Sequence, residues 1–285
     1  MACLRVLVTG GDGLVGSALV PELRSRGHEV IAPSRRQMDL TGDPTRVHDA
    51  VREASPHAVV NLAGYTDVDG AERDTEAAMR VNRDGAGVVA AAAAASGAHF
   101  LQLSTDYVFD GRADRPYPPE AALRPLGVYG RSKAEGEERV RGAGGSHLIV
   151  RTSWLYGAGG RSFVDAVLRR ARRGETLRVV SDQRGAPTWT RSLALGLAEL
   201  MEEEERGTLH LTDEGEATWH DLAVEALRLA GLDGEVQPIS SAAWGAAAPR
   251  PAYSVLDLSA TRGLLKRPLP HWRESLALYV EELTS

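Results

Sequence analysis

Residues 4–16 read Leu-Arg-Val-Leu-Val-Thr-Gly-Gly-Asp-Gly-Leu-Val-Gly and decide the fold of this chain. The apolar run at residues 4–8 is typical of a buried parallel strand. Gly10, Gly13 and Gly16 follow it with the spacing of a dinucleotide-binding turn. One glycine allows the sharp turn into a helix, one lets a pyrophosphate approach the backbone, and one lets the helix pack on the sheet. The helix N-terminus then offers unpaired N–H groups to phosphates.

Strands and helices alternate along the first half of the chain. The pattern predicts further strands at residues 28–32, 58–62, 100–103 and 147–151, and helices at residues 14–26, within 72–95 and at 131–141. Such alternation indicates an α/β fold with a doubly wound, Rossmann-like parallel sheet, which binds its ligands at the carboxyl ends of the strands.

The pattern loosens after Trp154. Helices are predicted at residues 163–173, 192–204, 219–230 and 276–283, and short strands at 177–180 and 208–212. We expect residues 1–153 to form the dinucleotide-binding domain, with its sheet completed by parts of 177–212. Residues 154–285 are expected to form mainly a smaller, interleaved substrate-binding lobe.

Composition excludes several classes of function. The 285 residues carry a formal net charge of −6, which argues against nucleic acid as a partner. No stretch reaches the roughly 18 apolar residues of a membrane span, and the N-terminus lacks the pattern of a signal peptide. A single cysteine, Cys3, excludes an intramolecular disulfide and favours a reducing compartment. We therefore expect a cytoplasmic protein, with Cys3 buried in the first strand.

The segment after the second strand indicates which dinucleotide binds. It reads Ser34-Arg35-Arg36, without the acidic residue that usually bonds the ribose hydroxyls of NAD. Arginine suits a 2′-phosphate because its planar fork makes paired, charged hydrogen bonds. The sequence predicts NADPH, with NADH as the alternative cofactor, and two solvated arginines as the alternative interpretation. Further cofactor contacts are expected from Leu14, Val15, Asp39, Leu40, Ala63, Gly64 and Tyr65.

Tyr129 and Lys133 are four residues apart at the start of a predicted helix, so their side chains share one face. An unperturbed phenol has a pKa of about 10, and a nearby ammonium group lowers it towards neutral pH. The lysine can also bond the nicotinamide ribose, so both residues are candidate cofactor contacts as well. Ser104 and Thr105 end the preceding strand, and one of them can donate a hydrogen bond to a substrate oxygen. The set predicts redox chemistry at a carbonyl or an alcohol.

Motifs along nearly the whole chain resemble one group of enzymes. The sequence is similar to the extended short-chain dehydrogenases/reductases, and within them to the dTDP-4-dehydrorhamnose reductase family. The matching segments are residues 9–16, 65–69, 81–82, 104–111, 129–133, 151–157, 182–188 and 250–251.

The resemblance implies an activity and a set of roles. It implies NADPH-dependent reduction of the C4 ketone of a dTDP-4-dehydro-6-deoxyhexose, with dTDP-4-dehydro-L-rhamnose converted to dTDP-L-rhamnose. The implied catalytic residues are Thr105, Tyr129 and Lys133. The implied substrate-binding residues are Val68, Thr105, Asp106, Tyr107 and Trp154, with the nucleotide sugar packed on Trp154 unless this tryptophan belongs to the core.

One property of the family is not transferred. Some members hold a magnesium ion between subunits with glutamates, one of them early in the first helix. Residues 14–17 here read Leu-Val-Gly-Ser, so no metal site is expected, and a homodimer is left open.

Two other functions on the same scaffold compete with the reductase. The related sugar-nucleotide dehydratases place Asp-Glu after the catalytic threonine, whereas Asp106 is followed here by Tyr107. An epimerase is grouped with that alternative. The regulatory subunit of methionine adenosyltransferase, which is not an enzyme, has serine for the threonine and lacks the tryptophan. This chain has Thr105 and Trp154, which favours catalysis.

Overall fold

A six-stranded sheet lies at the centre of the computed structural model, which describes residues 3–284. The strands of the described residues, inside and outside this sheet, are β1 (Arg5–Thr9), β2 (Glu29–Ile31), β3 (Ala58–Asn61), β4 (His99–Thr105), β5 (His147–Thr152), β6 (Leu155–Tyr156), β7 (Leu177–Val180), β8 (Arg184–Gly185), β9 (Thr188–Trp189), β10 (Gly207–His210), β11 (Ala217–Thr218) and β12 (Val236–Ile239). The sheet order is β10-β5-β4-β3-β1-β2, and all of these neighbours are parallel. The predicted doubly wound α/β sheet is confirmed.

Helices cover both faces of this sheet. The helices in residues 3–284 are α1 (Gly16–Ser25), α2 (Pro44–Ala54), α3 (Val68–Arg73), α4 (Thr75–Met79), α5 (Ala86–Ala95), α6 (Val128–Gly142), α7 (Phe163–Ala171), α8 (Thr190–Glu202), α9 (Trp219–Leu229), α10 (Ser241–Trp244), α11 (Ser259–Arg262) and α12 (Trp272–Thr284). Helices α1 and α8 pack on one face, and α2, α5 and α6 pack on the other. No helix in residues 3–284 has both the length and the apolar character needed to cross a membrane.

The strand order explains where a ligand can bind. It reverses at β1, which pairs with β2 on one side and β3 on the other. Crevices form at the carboxyl ends of strands at such a reversal, because the connecting helices leave towards opposite faces. The glycine turn after β1 therefore lies at the edge of a natural cleft.

The second half of the chain contributes to both parts of the molecule. Strand β10 adds the sixth strand to the central sheet beside β5, whereas β7 pairs with β12 in a separate two-stranded sheet. A second apolar core is built from α7, α9 and α12, with Trp272 fully buried in it. We call this part, which is centred on that core, the second lobe.

Two local features differ from what the sequence suggested. Helix α2 is not among the elements predicted, although Asp43 caps it by accepting a hydrogen bond from the Thr45 N–H at 2.9 Å and Pro44 starts it. Cys3 is exposed and precedes β1, so the expectation that it is buried in the first strand is wrong.

A close contact joins helix α6 to the segment between α4 and α5. Residues Arg80–Gly85 form a π-helical turn between α4 and α5, and the carbonyl of Asn82 points at Gly136 of α6. A Cβ on Gly136 would lie 2.1 Å from the Asn82 oxygen, so only glycine fits. The Asn82 side chain also donates to Ser132 Oγ at 2.9 Å. Helix α6 is thereby held against this π-helical turn.

Gly136→Ala is expected to lower the free energy of unfolding by roughly 1–3 kcal/mol, the usual range for overpacking. Gly142→Ala, in the last turn of the same helix, is the matched control, because a Cβ there meets no atom within 4 Å. Urea unfolding of both variants measures the difference. Equal stability of the two variants would show that the contact with Asn82 is not tight.

Candidate active site

A cleft of about 870 Å³ runs along the carboxyl edge of the sheet and is closed on one side by the second lobe. It brings together most of the residues predicted from the sequence. Its lining includes Gly10, Gly13, Leu14, Val15, Gly16, Arg35, Asp39, Leu40, Ala63, Gly64, Tyr65, Val68, Thr105, Asp106, Tyr107, Tyr129, Lys133 and Trp154. Ser34 and Arg36 lie outside this lining, and Trp219 lies in it although the sequence did not single it out.

The glycine turn has the geometry that an anionic ligand needs. Gly10 has a φ of +69°, which glycine adopts without strain. A Cβ on Gly16 would lie 2.4 Å from the carbonyl oxygens of Gly10 and Gly11, so the start of α1 could not pack on the turn with any other residue. No acidic residue lies in the first turn of α1, so its positive dipole end is available for a phosphate.

The arginine segment after β2 divides into two parts. Arg35 is exposed on the rim of the cleft, whereas the Ser34 hydroxyl donates to Gln37 Oε1 at 2.8 Å. Asp39 turns its carboxylate towards Thr41 and accepts from the N–H at 2.9 Å and the hydroxyl at 2.8 Å. These hydrogen bonds hold the pKa of Asp39 below its usual value, and the charge of Arg35 acts in the same direction. Arg35 is therefore an exposed cation at this end of the cleft.

Lys133 lies on the face of α6 that meets the sheet. Its Nζ donates to the Leu103 carbonyl at 2.7 Å, and the residue is only 9% exposed. Burial lowers the pKa of Lys133 to about 8, because a charged ammonium loses hydration, and the negative charge of Glu137 opposes this effect. The lysine still carries its proton at neutral pH.

Tyr129 lies in the first turn of α6 with its ring edge-on to Tyr107, at a centroid distance of 5.7 Å. Burial raises the pKa of Tyr129 to about 12, and a hydrogen bond with Thr105 opposes the shift. The sequence suggested the opposite direction, a pKa lowered by Lys133. The difference arises because the lysine Nζ is directed at a backbone carbonyl while desolvation acts on the phenol.

Thr105 and Asp106 form the floor of the site at the end of β4. Thr105 Oγ1 donates to Asp106 Oδ1 at 3.0 Å and accepts from the Tyr107 N–H at 3.2 Å. Burial raises the pKa of Asp106 to about 7, and hydrogen bonds from Ser254 and Thr105 oppose the shift. Ser104, in contrast, donates to Glu137 at 2.7 Å on the other side of the strand. Of the two strand-end hydroxyls, Thr105 is thus the one beside the phenol.

The N-terminus of α6 is held by a residue of α3. Gly127, the N-cap residue, has no side chain to accept a backbone hydrogen bond, and Glu72 Oε1 accepts the Val128 N–H at 2.7 Å instead. Another acid of α3, Asp69, binds Arg250 through both carboxylate oxygens, at 3.1 and 2.8 Å. Helix α3 therefore links the start of α6 to the C-terminal segment around Arg250.

Glu72→Ala is expected to speed hydrogen exchange at the first-turn amides of α6 and to lower the free energy of unfolding by about 0.5–2 kcal/mol, the range for losing a helix cap. Glu76→Ala is the control, because its side chain is 82% exposed and it lies on the neighbouring helix α4. Exchange rates that are the same in both variants would contradict a capping role for Glu72.

Comparison with known proteins gives matches along almost the full chain. A family model described as RmlD substrate binding domain matches residues 4–285. A dTDP-4-dehydrorhamnose reductase of Streptomyces griseus is 45% identical over 279 residues, which cover 95% of this chain and 91% of the relative. A probable dTDP-4,6-dihydroxy-2-methyloxan-3-one 4-ketoreductase of Streptomyces antibioticus is 42% identical, over 96% of this chain and 93% of the relative.

A solved structure gives the same result. The crystal structure of dTDP-4-dehydrorhamnose reductase from Bacillus anthracis in complex with NADP has a TM-score of 0.95 and 34% identity to this chain, and covers 99% of this chain and 100% of that one. The resemblance predicted from the motifs is confirmed. The chain belongs to the RmlD substrate binding domain family.

Proposed function

We propose that this protein is an NADPH-dependent reductase that converts the C4 ketone of a dTDP-4-dehydro-6-deoxyhexose to the alcohol. The proposed substrate is dTDP-4-dehydro-L-rhamnose, which gives dTDP-L-rhamnose. One observation carries the proposal: Thr105, Tyr129 and Lys133 lie in the same cleft as the glycine turn. The relatives with 45% and 42% identity are named as reductases of dTDP-keto sugars, which supports the same substrate class.

The residues of the cleft fit the cofactor. The cradle around Gly10 and Gly16 excludes a Cβ, which suits close contact with a pyrophosphate, and the exposed Arg35 suits a 2′-phosphate. In the proposed complex, Lys133 would bond the nicotinamide ribose. When bound, NADPH would supply the hydride to the carbonyl carbon. A solved relative in complex with NADP supports this choice of cofactor.

Tyr129 is the proposed proton donor. Reduction of a ketone leaves negative charge on the oxygen, so a group that still carries its proton must lie beside it. With a pKa raised to about 12 by burial, the phenol is protonated at neutral pH, as an acid in the reductive direction needs. The Lys133 ammonium on the next turn stabilises the phenolate that forms.

Thr105 has a polarising role in this proposal. Its hydroxyl lies between Asp106 and the phenol, and rotation about its Cα–Cβ bond can redirect the O–H towards the substrate oxygen. Such a hydrogen bond strengthens as charge develops on that oxygen. Thr105 then stabilises the transition state without losing its proton.

The geometry favours this reaction over the alternatives drawn from the sequence. Asp106 is followed by Tyr107, whose ring packs on Tyr129, so the Asp-Glu pair of the dehydratases is not present. Thr105 and Trp154 both line the cleft, which supports a catalytic role over that of a regulatory subunit. A cytoplasmic location and a homodimer stay predictions from the sequence.

Tyr129→Phe is expected to lower kcat roughly 10²–10⁴-fold, the usual contribution of a general acid, with NADPH binding retained. Thr105→Val should lower kcat less, since it removes one hydrogen bond and no proton donor. Loss of NADPH absorbance under single-turnover conditions, with a deuteride isotope effect to show that chemistry limits the rate, makes the measurement. A Tyr129→Phe enzyme that keeps most of its kcat would rule out this proton donor.

Arg35→Ala is expected to raise KM for NADPH roughly tenfold or more and to leave KM for NADH unchanged, because charged hydrogen bonds to the 2′-phosphate are lost. Arg36→Ala is the control, since Arg36 lies outside the cleft lining. Initial rates with both cofactors test this. A wild-type specificity constant for NADH equal to or above that for NADPH would contradict the predicted cofactor preference.

A further inference from the structure

Two tryptophans that are 65 residues apart in the sequence form one stacked pair in the cleft. The rings of Trp154 and Trp219 lie 3.7 Å apart between centroids and are parallel within 5°. Both residues line the cleft. Trp154 is predicted from the sequence as a substrate contact, whereas Trp219 is not.

The fold holds the backbone of this pair in place from both sides. Strands β8 and β11 pair antiparallel, with Gly185 opposite Ala217 and Arg184 opposite Thr218, and Trp219 directly follows. Thr218 and Asp221 form a reciprocal capping box that fixes the first turn of α9, where Trp219 lies. A Cβ on Gly185 would lie 2.4 Å from the indole of Trp154, so this glycine lets strand β8 lie directly against that ring.

The orientation of the Trp219 ring is fixed by a polar contact. Its indole N–H donates to Gln183 Oε1 at 3.1 Å, and the Gln183 amide nitrogen donates in turn to Ser241 Oγ at 2.8 Å. Gln183 is only 5% exposed, so its carbonyl has little access to water. Rotation of the Trp219 ring would leave a buried acceptor unpaired, which is unfavourable.

The two tryptophans differ in how exposed they are. Trp154 is 8% exposed, because Gly185 and Trp219 both pack on it, and its backbone is in the left-handed region with φ of 48°. Trp219 keeps an intermediate exposure. Of the two residues, Trp219 is therefore the more exposed.

We propose that Trp219 is a substrate-binding residue on which the planar base of the nucleotide sugar packs, with Trp154 as its support. The assignment rests on the proposed function. The reacting sugar has to lie against Thr105 and Tyr129, so the base lies elsewhere in the cleft. The Trp219 ring contacts Trp154, Phe163 and Gln183, which all lie in the second half of the chain. A nucleobase stacks on such a ring without needing a directional partner.

The test compares Trp219→Ala and Trp219→Phe with wild type and with Trp244→Ala. Trp244 is the matched control, because it is a tryptophan of the second half of the chain that is 53% exposed and lies outside the cleft lining. Binding of dTDP is measured by calorimetry, binding of NADPH by fluorescence, and KM with the dTDP-4-dehydro sugar by initial rates.

We expect Trp219→Ala to weaken dTDP binding roughly tenfold or more, as loss of one base-stacking ring does, with NADPH binding unchanged. Trp219→Phe should lose less, and Trp244→Ala should match wild type. Urea unfolding checks the fold of each variant, because the coupled signal of the two parallel indoles at 3.7 Å disappears with either ring even in a folded protein.

Three outcomes would overturn the assignment. The first is that dTDP binds Trp219→Ala or a folded Trp219→Phe as it binds wild type. The second is that only KM for the whole dTDP-sugar rises while dTDP binding is unchanged, which would place Trp219 at the sugar. The third is that wild type does not bind dTDP. Wild type that binds dTDP without reducing the sugar would contradict the proposed function alone, and the binding data would still decide the role of Trp219.

Discussion

The buried pairing of Glu137 with Arg151 is the interaction on which the geometry of the site depends. Arg151 Nε and Nη2 donate to the two carboxylate oxygens at 2.8 and 2.7 Å, and both residues are 1% exposed. Ser104 and Arg141 donate to the same carboxylate at 2.7 and 2.8 Å. One side chain of α6 is thereby bound to β4, to β5 and to its own helix. Tyr129, Lys133 and Glu137 are spaced by four residues, so this anchor sets the height of Tyr129 and Lys133 over the sheet.

A buried ion pair is stable only where hydrogen bonds satisfy the remaining polar atoms of both side chains. Burial alone would raise the pKa of Glu137, but the hydrogen bonds and charge of Arg151, with those of Ser104 and Arg141, hold it below its usual value. Arg151 also donates to the Pro119 carbonyl at 2.8 Å and lies 5.1 Å from the centre of the Phe109 ring. Removing one member of such a pair leaves an uncompensated buried charge and lowers the free energy of unfolding by about 3–5 kcal/mol. The Glu137–Arg151 pair therefore joins helix α6, the loop before it and the sheet.

The parts of the site that depend on local sequence could be predicted. The glycine turn, the four-residue spacing of Tyr129 and Lys133 and the threonine at a strand end are short-range patterns with steric or electrostatic reasons of their own. The residues that could not be predicted are those whose partners lie far away in the sequence. Glu72 caps a helix that begins 56 residues later, and Trp219 meets Trp154 only because β8 pairs with β11. Such contacts arise from tertiary packing, so no short-range pattern in the sequence predicts them.

Burial also explains why the electrostatics of the site differ from the simple expectation. A lysine four residues after a tyrosine suggests mutual stabilisation of their charged forms, yet burial shifts both pKa values towards the uncharged forms, to about 8 for Lys133 and about 12 for Tyr129. Glu137 counteracts the shift on the lysine from four residues away, so the anchor also keeps the ammonium charged. At neutral pH the site therefore presents two protonated donors in a cleft of low polarity. That arrangement suits a reaction in which negative charge appears on an oxygen, because hydrogen bonds from protonated donors gain most strength where water is excluded.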